Sequence, residues 1–302
     1  MIKNFAELMN AAKNQETMKL AVAAAQDEDV LVAVCQAAEQ GLIDPVLVGD
    51  IKAVKEIAAK NNLNVDGYEL VEATELAEAA SISVKLVSDG KADFLMKGLI
   101  DTAILLKAVL DKEIGLRTDS QLSHVMVYET AAYHKLVYLT DGGMNITPDL
   151  EAKGKIVQNA VQVVKAMGAS PVKVACLAAK EKVNPKMPAT VDADALQKMS
   201  ENGDFGEGVI VEGPLAFDLA VSEEAARVKG FKSEIAGDAD VLMVPTIEMG
   251  NGIGKAMTYM AQADSAGIIM GAKVPVVLTS RADSAQVKLN SIALGSVIAA
   301  HK

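Results

Sequence analysis

Residues 274–281 read Val-Pro-Val-Val-Leu-Thr-Ser-Arg. Five apolar positions in succession, ended by two hydroxyls and an arginine, predict a strand over Val274–Leu278. A strand with one wet face alternates apolar and polar side chains, whereas one covered by helices on both faces reads as a continuous apolar run. Ten further short runs of this kind flank it at Lys19–Ala24, Pro45–Val48, Glu69–Glu72, Phe94–Met96, Ser123–Tyr128, Leu136–Leu139, Val172–Ala178, Val209–Glu212, Val241–Val244 and Gly267–Met270. Between them, segments such as Val30–Gln40, Leu150–Met167 and Asp218–Lys229 repeat apolar residues at helical spacing. The expected fold class is α/β with mostly parallel sheets. A chain of 302 residues, 51% of them apolar, is long enough for two such domains with a cleft between them. A change near Tyr133 and a returning last helix place residues 1–132 plus 283–302 in one domain and 133–282 in the other.

Composition narrows the function classes. No apolar run reaches the roughly 18 residues of a membrane span, and charges interrupt the opening segment MIKNFAELMNAAKN, unlike a signal peptide. The expectation is a cytoplasmic protein with no membrane partner. A net charge of −11 disfavours nucleic acid as a partner. Cys35 and Cys176 sit in separate apolar stretches and read as buried thiols. His124, His134 and His301 have no metal-ligand spacing, so no bound metal is expected. Against 26 lysines there are three arginines, Arg117, Arg227 and Arg281. The guanidinium is a rigid, permanently charged fork that matches phosphate and carboxylate, which makes the arginine at the Val274–Leu278 exit a candidate anion clamp.

Parallel sheets take ligands beyond the carboxyl ends of their strands, and five strand exits carry candidate chemistry. At Thr279-Ser280-Arg281, Arg281 is placed to hold phosphate or brace a developing oxyanion, and Ser280 to donate to the same oxygen. Asp283 is either a base or, with Gln286 three residues on, a helix cap. Lys97 and Gly98 end another strand, where Lys97 is either a phosphate contact or an ordinary solvated lysine. Ser123 and His124 open an apolar strand, and His124 reads equally as a structural histidine or a general base. Asp141 and Asp149 flank Gly142-Gly143-Met144-Asn145, either a ligand loop or a turn with a helix cap. Gly250-Asn251-Gly252-Ile253-Gly254-Lys255 reads as a glycine-rich loop whose amides could cradle phosphate. It departs from a Walker loop in spacing and in the Ala256 that follows Lys255, and from a dinucleotide fingerprint in the Lys255 that stands where glycine is needed. The alternative there is a plain turn.

Seven stretches in shared order carry a resemblance: MKGLIDT (96–102), LSHVMVYE (122–129), YLTDGGMNITPDL (138–150), EKVNPKMPATVDA (181–193), VEGPLAFDLA (211–220), residues 245–255 and GAKVPVVLTSRADS (271–284). From about Lys19 to the C-terminus the chain resembles the phosphate acetyl/butyryltransferase family, more closely its phosphate butyryltransferase branch. The resemblance implies two α/β domains like those of isocitrate and isopropylmalate dehydrogenases, a site in the interdomain cleft, and a homodimer. It also implies reversible acyl transfer between coenzyme A, a co-substrate rather than a resident cofactor, and inorganic phosphate. The family's Ser-Arg pair falls on Ser280 and Arg281, and its Gly-Asn-to-Lys loop on Gly250, Asn251 and Lys255. Acetyl-transferring members place an aspartate six residues after that arginine, where Val287 stands here. The arginines those members carry after MKGLIDT also lack a counterpart, which favours a butyryl or branched-chain acyl group over acetyl. With no cysteine at a strand exit, direct attack in a ternary complex is expected. The rival readings are a phosphate acetyltransferase, a two-domain NAD-dependent hydroxy-acid dehydrogenase, for which metal ligands and a nicotinamide site are not evident, and a non-catalytic acyl-CoA sensor.

Overall fold

The computed structural model describes residues 1–280 and 282–301. Strands and helices alternate as α1 (Phe5–Lys13), β1 (Met18–Ala23), α2 (Glu28–Glu39), β2 (Ile43–Gly49), α3 (Ile51–Lys60), β3 (Glu69–Glu72), α4 (Leu76–Ser88), β4 (Phe94–Lys97) and α5 (Thr102–Val109). The middle of the chain forms β5 (Ser123–Glu129), β6 (Val137–Thr140), α6 (Leu150–Ala166), β7 (Val172–Leu177), α7 (Pro188–Glu201), β8 (Val209–Leu215), α8 (Phe217–Val221) and α9 (Glu223–Lys229). It closes with β9 (Val241–Met243), α10 (Ile247–Tyr259), β10 (Asp264–Met270), β11 (Val276–Val277) and α11 (Ala285–Ala300). All eleven expected strands are present, with ends displaced by a few residues.

The chain divides into two compact units, Phe5–Ser120 with Ala266–Lys302, and Met1–Asn4 with Gln121–Ser265. The crossings fall at 120/121 and 265/266 rather than at the 132/133 and 282/283 read from the sequence. Two antiparallel pairs account for the displacement. Tyr133 lies between β5 and β6, which pair Met126 with Leu139 and Tyr128 with Val137, so a boundary there would split a hairpin. Similarly β11 pairs with β10 and with β4, which ties residues 266–282 to the unit that holds β4.

In the first unit the strand order is β3-β2-β1-β4-β11-β10. β1 runs parallel to β2 and β4, with Ala23 opposite both Val48 and Lys97. Helix α2 starts where the Asp27 carboxylate accepts from Val30 N (2.9 Å), and buries Val30, Leu31, Val34 and Cys35 at helical spacing. Helix α11 is buried on all sides from Lys288 to Ala299, mostly by apolar residues but with Lys288, Asn290, Ser291 and Ser296 among them. At Gly295 a Cβ would come within 2.9 Å of side-chain carbons of both Phe94 and Val277, so the helix approaches β4 and β11 at a distance that only glycine allows. In the second unit the order is β5-β6-β9-β7-β8, with β6, β9, β7 and β8 parallel and β5 antiparallel to β6. The start of β5 therefore lies at the same edge as the carboxyl ends of the four parallel strands. No helix among the described residues is long and apolar enough to cross a membrane.

Candidate functional site

At the carboxyl edge of the second unit, four of the expected residues come together around one carboxylate. Asp141 follows β6, and its Oδ1 accepts from Gly143 N (2.8 Å) and Met144 N (2.9 Å). Its Oδ2 accepts from His124 N (3.1 Å), Asn145 N (3.3 Å) and Asn145 Nδ2 (2.6 Å). Five donors thus occupy a carboxylate that is 2% exposed. A carboxylate so engaged organises its loop rather than touching an anionic ligand, which it would repel. Asn145 also donates to Leu122 O (2.8 Å) and accepts from Gln121 Nε2 (2.8 Å), locking the loop onto the entry to β5. Asp149 caps α6 through Ala152 N (2.9 Å), as one sequence reading had it.

Ser123 is fully buried, and its Oγ accepts from Asn159 Nδ2 (2.8 Å), which also donates to Gln121 O (2.7 Å). Asn159 escaped the sequence reading. Its signal is an amide on the α6 face that otherwise buries Ile156, Val157, Ala160 and Val163. Alternation along β5 turns His124 away from Ser123. Its backbone is held on both sides, the N–H by Asp141 and the carbonyl by Thr140 Oγ1 (2.9 Å). A Cβ on Gly143 would lie 2.7 Å from His124 Nδ1, so the second glycine of the loop makes room for the imidazole.

The stretch from Gly250 to Lys255 is not a loop. It forms the first turns of α10, and its backbone amides belong to helical hydrogen bonding instead of presenting a cradle. Close packing explains two of its three glycines: a Cβ on Gly250 would sit 2.6 Å from Gly142 Cα, and one on Gly254 would sit 2.8 Å from the Tyr128 hydroxyl. Asn251 and Lys255 are exposed, with Lys255 Nζ 5.7 Å from the centre of the Tyr259 ring. Beside the ends of β7 and β9, Cys176, Val244 and Pro245 line a recess with the ion pair of Lys153 and Asp192 (2.5 Å) on its wall. Its volume of about 10 Å³ suits one water rather than an acyl chain. Burial pushes the Cys176 thiol up to about 12.

In the first unit, Lys97 ends β4 with 7% exposure and donates to Gly98 O (3.4 Å). A Cβ on Gly98 would lie 2.2 Å from Ala24 O, so this exit needs glycine. After β11, Thr279 is buried and Ser280 exposed. Ser280 N donates to Asp283 Oδ2 (2.7 Å), Asp283 N to Ser280 O (3.1 Å), and Ala282 N to Ser280 Oγ (3.3 Å). Asp283 thereby closes the turn that presents Ser280, while the cap of α11 is Ser284, which accepts from Val287 N (3.4 Å). The capping reading of Asp283 is corrected by one residue, because its carboxylate is engaged behind it. Arg281 lies outside the described residues. Among the described residues no group of three or more His, Cys, Asp or Glu side chains could hold a metal ion.

A family model described as phosphate acetyl/butaryl transferase matches residues 4–80 and 72–296. The chain belongs to this family. Among members of the phosphate acetyl/butaryl transferase family, a phosphate butyryltransferase of Clostridium acetobutylicum is 48% identical over 302 residues, covering 100% of both chains. The crystal structure of a branched-chain phosphotransacylase from Enterococcus faecalis superposes with a TM-score of 0.82 at 36% identity, covering 94% of this chain and 99% of that one. A 4-hydroxythreonine-4-phosphate dehydrogenase from Burkholderia phymatum, at TM-score 0.53 and 12% identity over 94% of this chain and 99% of that one, shares the fold alone. The mixed α/β architecture with its mostly parallel strands is thus common to transacylases and a dehydrogenase.

Proposed function

We propose that this chain transfers a short acyl group, butyryl or branched-chain, reversibly between coenzyme A and inorganic phosphate. The observation that carries this reading is the identity to a phosphate butyryltransferase along the whole length of both chains. A phosphate oxygen attacks the thioester carbonyl directly, the carbonyl oxygen takes up negative charge, and the coenzyme A sulfur leaves as thiolate. Arg281 holds phosphate, and the Ser280 hydroxyl braces the oxyanion from the turn that Asp283 closes. Lys97 and Gly98 serve the anionic part of a substrate at the β4 exit. The Asp141 loop, with Ser123, His124 and Asn145, shapes the β5 entry. Asn251 and Lys255 contribute through exposed side chains of α10, not through loop amides. Holding two substrates together supplies much of the acceleration. A covalent acyl-cysteine is disfavoured by the full burial of Cys35 and Cys176. A homodimer and an isocitrate dehydrogenase-type architecture complete the proposal and rest on the family resemblance, and a cytoplasmic location is proposed with them.

The test is thiol release from acetyl-, butyryl- and isobutyryl-CoA, with and without phosphate. Phosphate-dependent release fastest with the four-carbon substrates is expected, and release that ignores phosphate would overturn the reading. Arg281→Ala lowers turnover by about 10²-fold or more, as loss of one oxyanion donor does. Unchanged turnover in that variant would remove Arg281 from the site.

A further inference from the structure

Among the described residues four lysines are buried, Lys97, Lys135, Lys153 and Lys288. Lys135 meets the carboxylates of Asp238 and Asp240, and Lys153 meets that of Asp192. Lys288 has no such partner. It is 4% exposed, its Nζ donates to the backbone carbonyl of Asp283, and no carboxylate of the described residues lies within ion-pair distance of it. A carbonyl engages one of the three ammonium protons but brings only a dipole, not an opposing charge. Taking an ammonium out of water without a counter-charge is costly. The position adds to that cost, because Lys288 stands at the start of α11, and the partial positive charge of a helix N-terminus disfavours a cation there.

The carbonyl that Lys288 engages belongs to the turn that presents Ser280. Ser280 N donates to the Asp283 carboxylate and Asp283 N to Ser280 O, so the Lys288 bond fastens the same turn from the α11 side. Because β11 runs parallel to β4, that turn and Lys97 leave the first unit's sheet at one edge. Carboxylates at this edge serve the backbone: Asp27 caps α2, Asp50 caps α3, and Asp283 takes the Ser280 amide. Positive charge therefore gathers around the Ser280 turn, where the proposed reaction handles phosphate.

We propose that Lys288 is a positioning residue for phosphate: its bond to Asp283 O holds the Ser280 turn, and its buried charge draws inorganic phosphate, or the phosphoryl group of an acyl phosphate, to that turn. This rests on the acyl-transfer reading above. The ammonium does not touch the anion. Coulomb attraction through protein of effective dielectric about 20 is several times stronger than through water at the same distance, so a buried charge acts beyond contact range. No proton and no bond changes hands at Lys288.

The experiment compares the natural protein with Lys288→Met, which removes both charge and donor, and Lys288→Gln, which removes the charge and keeps a donor. Thermal melts are followed as inorganic phosphate is raised at constant ionic strength, with chloride making up the balance. Phosphate is expected to raise the natural melting temperature by linkage. Both variants should respond less to phosphate, and without it they should melt at or above the natural protein, since a buried unpaired charge is gone. In thiol release from butyryl-CoA, both should raise KM for phosphate about tenfold or more and leave KM for butyryl-CoA nearly unchanged. Variants that melt below the natural protein without phosphate, or fail to fold, make Lys288 a scaffold residue and overturn the proposal. An equal response of all three proteins to phosphate, or none in any, overturns it too, as does a natural phosphate KM in Lys288→Gln. Thiol release that ignores phosphate in the natural protein sinks the proposed function instead, and the melts still decide whether Lys288 draws the anion.

Discussion

The hydroxyl of Tyr138 is buried inside the second unit and has no hydrogen-bond partner among the described residues. Burial, aided by the charge of Asp240, raises its pKa far above the ordinary tyrosine value, so the group stays neutral. A buried hydroxyl left unsatisfied carries a desolvation cost of about 1–3 kcal/mol, and removing it leaves the ring packing unchanged. Tyr138→Phe is therefore expected to stabilise the protein by about 1 kcal/mol in urea unfolding; a clear loss would reveal a polar partner. Asp141 is the opposite case. Asp141→Asn replaces one acceptor oxygen by an amide that faces N–H donors, at a cost of about 2–3 kcal/mol. Circular-dichroism melts of the variant would check this, and an unchanged melt would mean that the loop holds without its carboxylate.

At the scale of elements, α10 is where sequence reading and structure part most sharply. Six residues with three glycines read as a loop because glycine lowers helix propensity by about 1 kcal/mol each. The segment is helical nonetheless, since Gly250 and Gly254 are needed for contacts with Gly142 and Tyr128 that no local pattern announces. Gly250→Ala is expected to cost about 1–3 kcal/mol by forcing α10 off the Asp141 loop. Gly252 has open space around its Cβ position, and Gly252→Ala should gain about 0.5–1 kcal/mol. Thermal melts of the two variants should move in opposite directions, and a shared direction would refute the packing account. Most of the strands were legible because strands covered on both faces leave continuous apolar runs such as Val274–Leu278, whereas β3, with its two glutamates, is a short and largely uncovered exception. Unit boundaries were less so, because which neighbouring strands pair as hairpins, β5–β6 and β10–β11, and the return of β11 to the distant β4 are pairing choices that composition does not encode. The same holds at the site. Ser123, His124, Asp141 and Asn145 could be picked out as polar residues at strand ends, but the convergence of five donors on Asp141, and the part of Asn159, depend on how distant segments meet.

Across the molecule as a whole, candidate chemistry and one strong electrostatic anchor lie at opposite edges of the second unit's sheet. Lys135, Lys173, Asp238 and Asp240 gather at the amino ends of β6, β7 and β9. Lys135 Nζ reaches Asp240 (2.6 Å) and Asp238 (2.8 Å), and Lys173 Nζ reaches Asp238 (2.6 Å). The Asp240 side chain is 2% exposed and also accepts from Lys173 N (2.8 Å), so Asp240→Asn leaves Lys135 short of a buried counter-charge. Breaking such a pair costs about 3–5 kcal/mol. For Asp238, burial alone would raise the pKa, but hydrogen bonds from Lys135, Lys173 and His134 outweigh it and hold the carboxylate well below its usual range. A folded-state value depressed in this way means that the unfolded chain binds the proton first as acid is added. The contribution of Asp238 is thus fully present above its unfolded value of about 3.9 and is lost as pH falls from there toward the folded value. Urea unfolding at pH 7, 5, 4 and 3 should therefore show stability dropping below about pH 4. Asp238→Asn should be less stable than the natural protein at pH 7, with the gap starting to narrow at pH 3. A gap that persists unchanged at pH 3 would mean that packing, and not the charge of Asp238, holds the amino edge together.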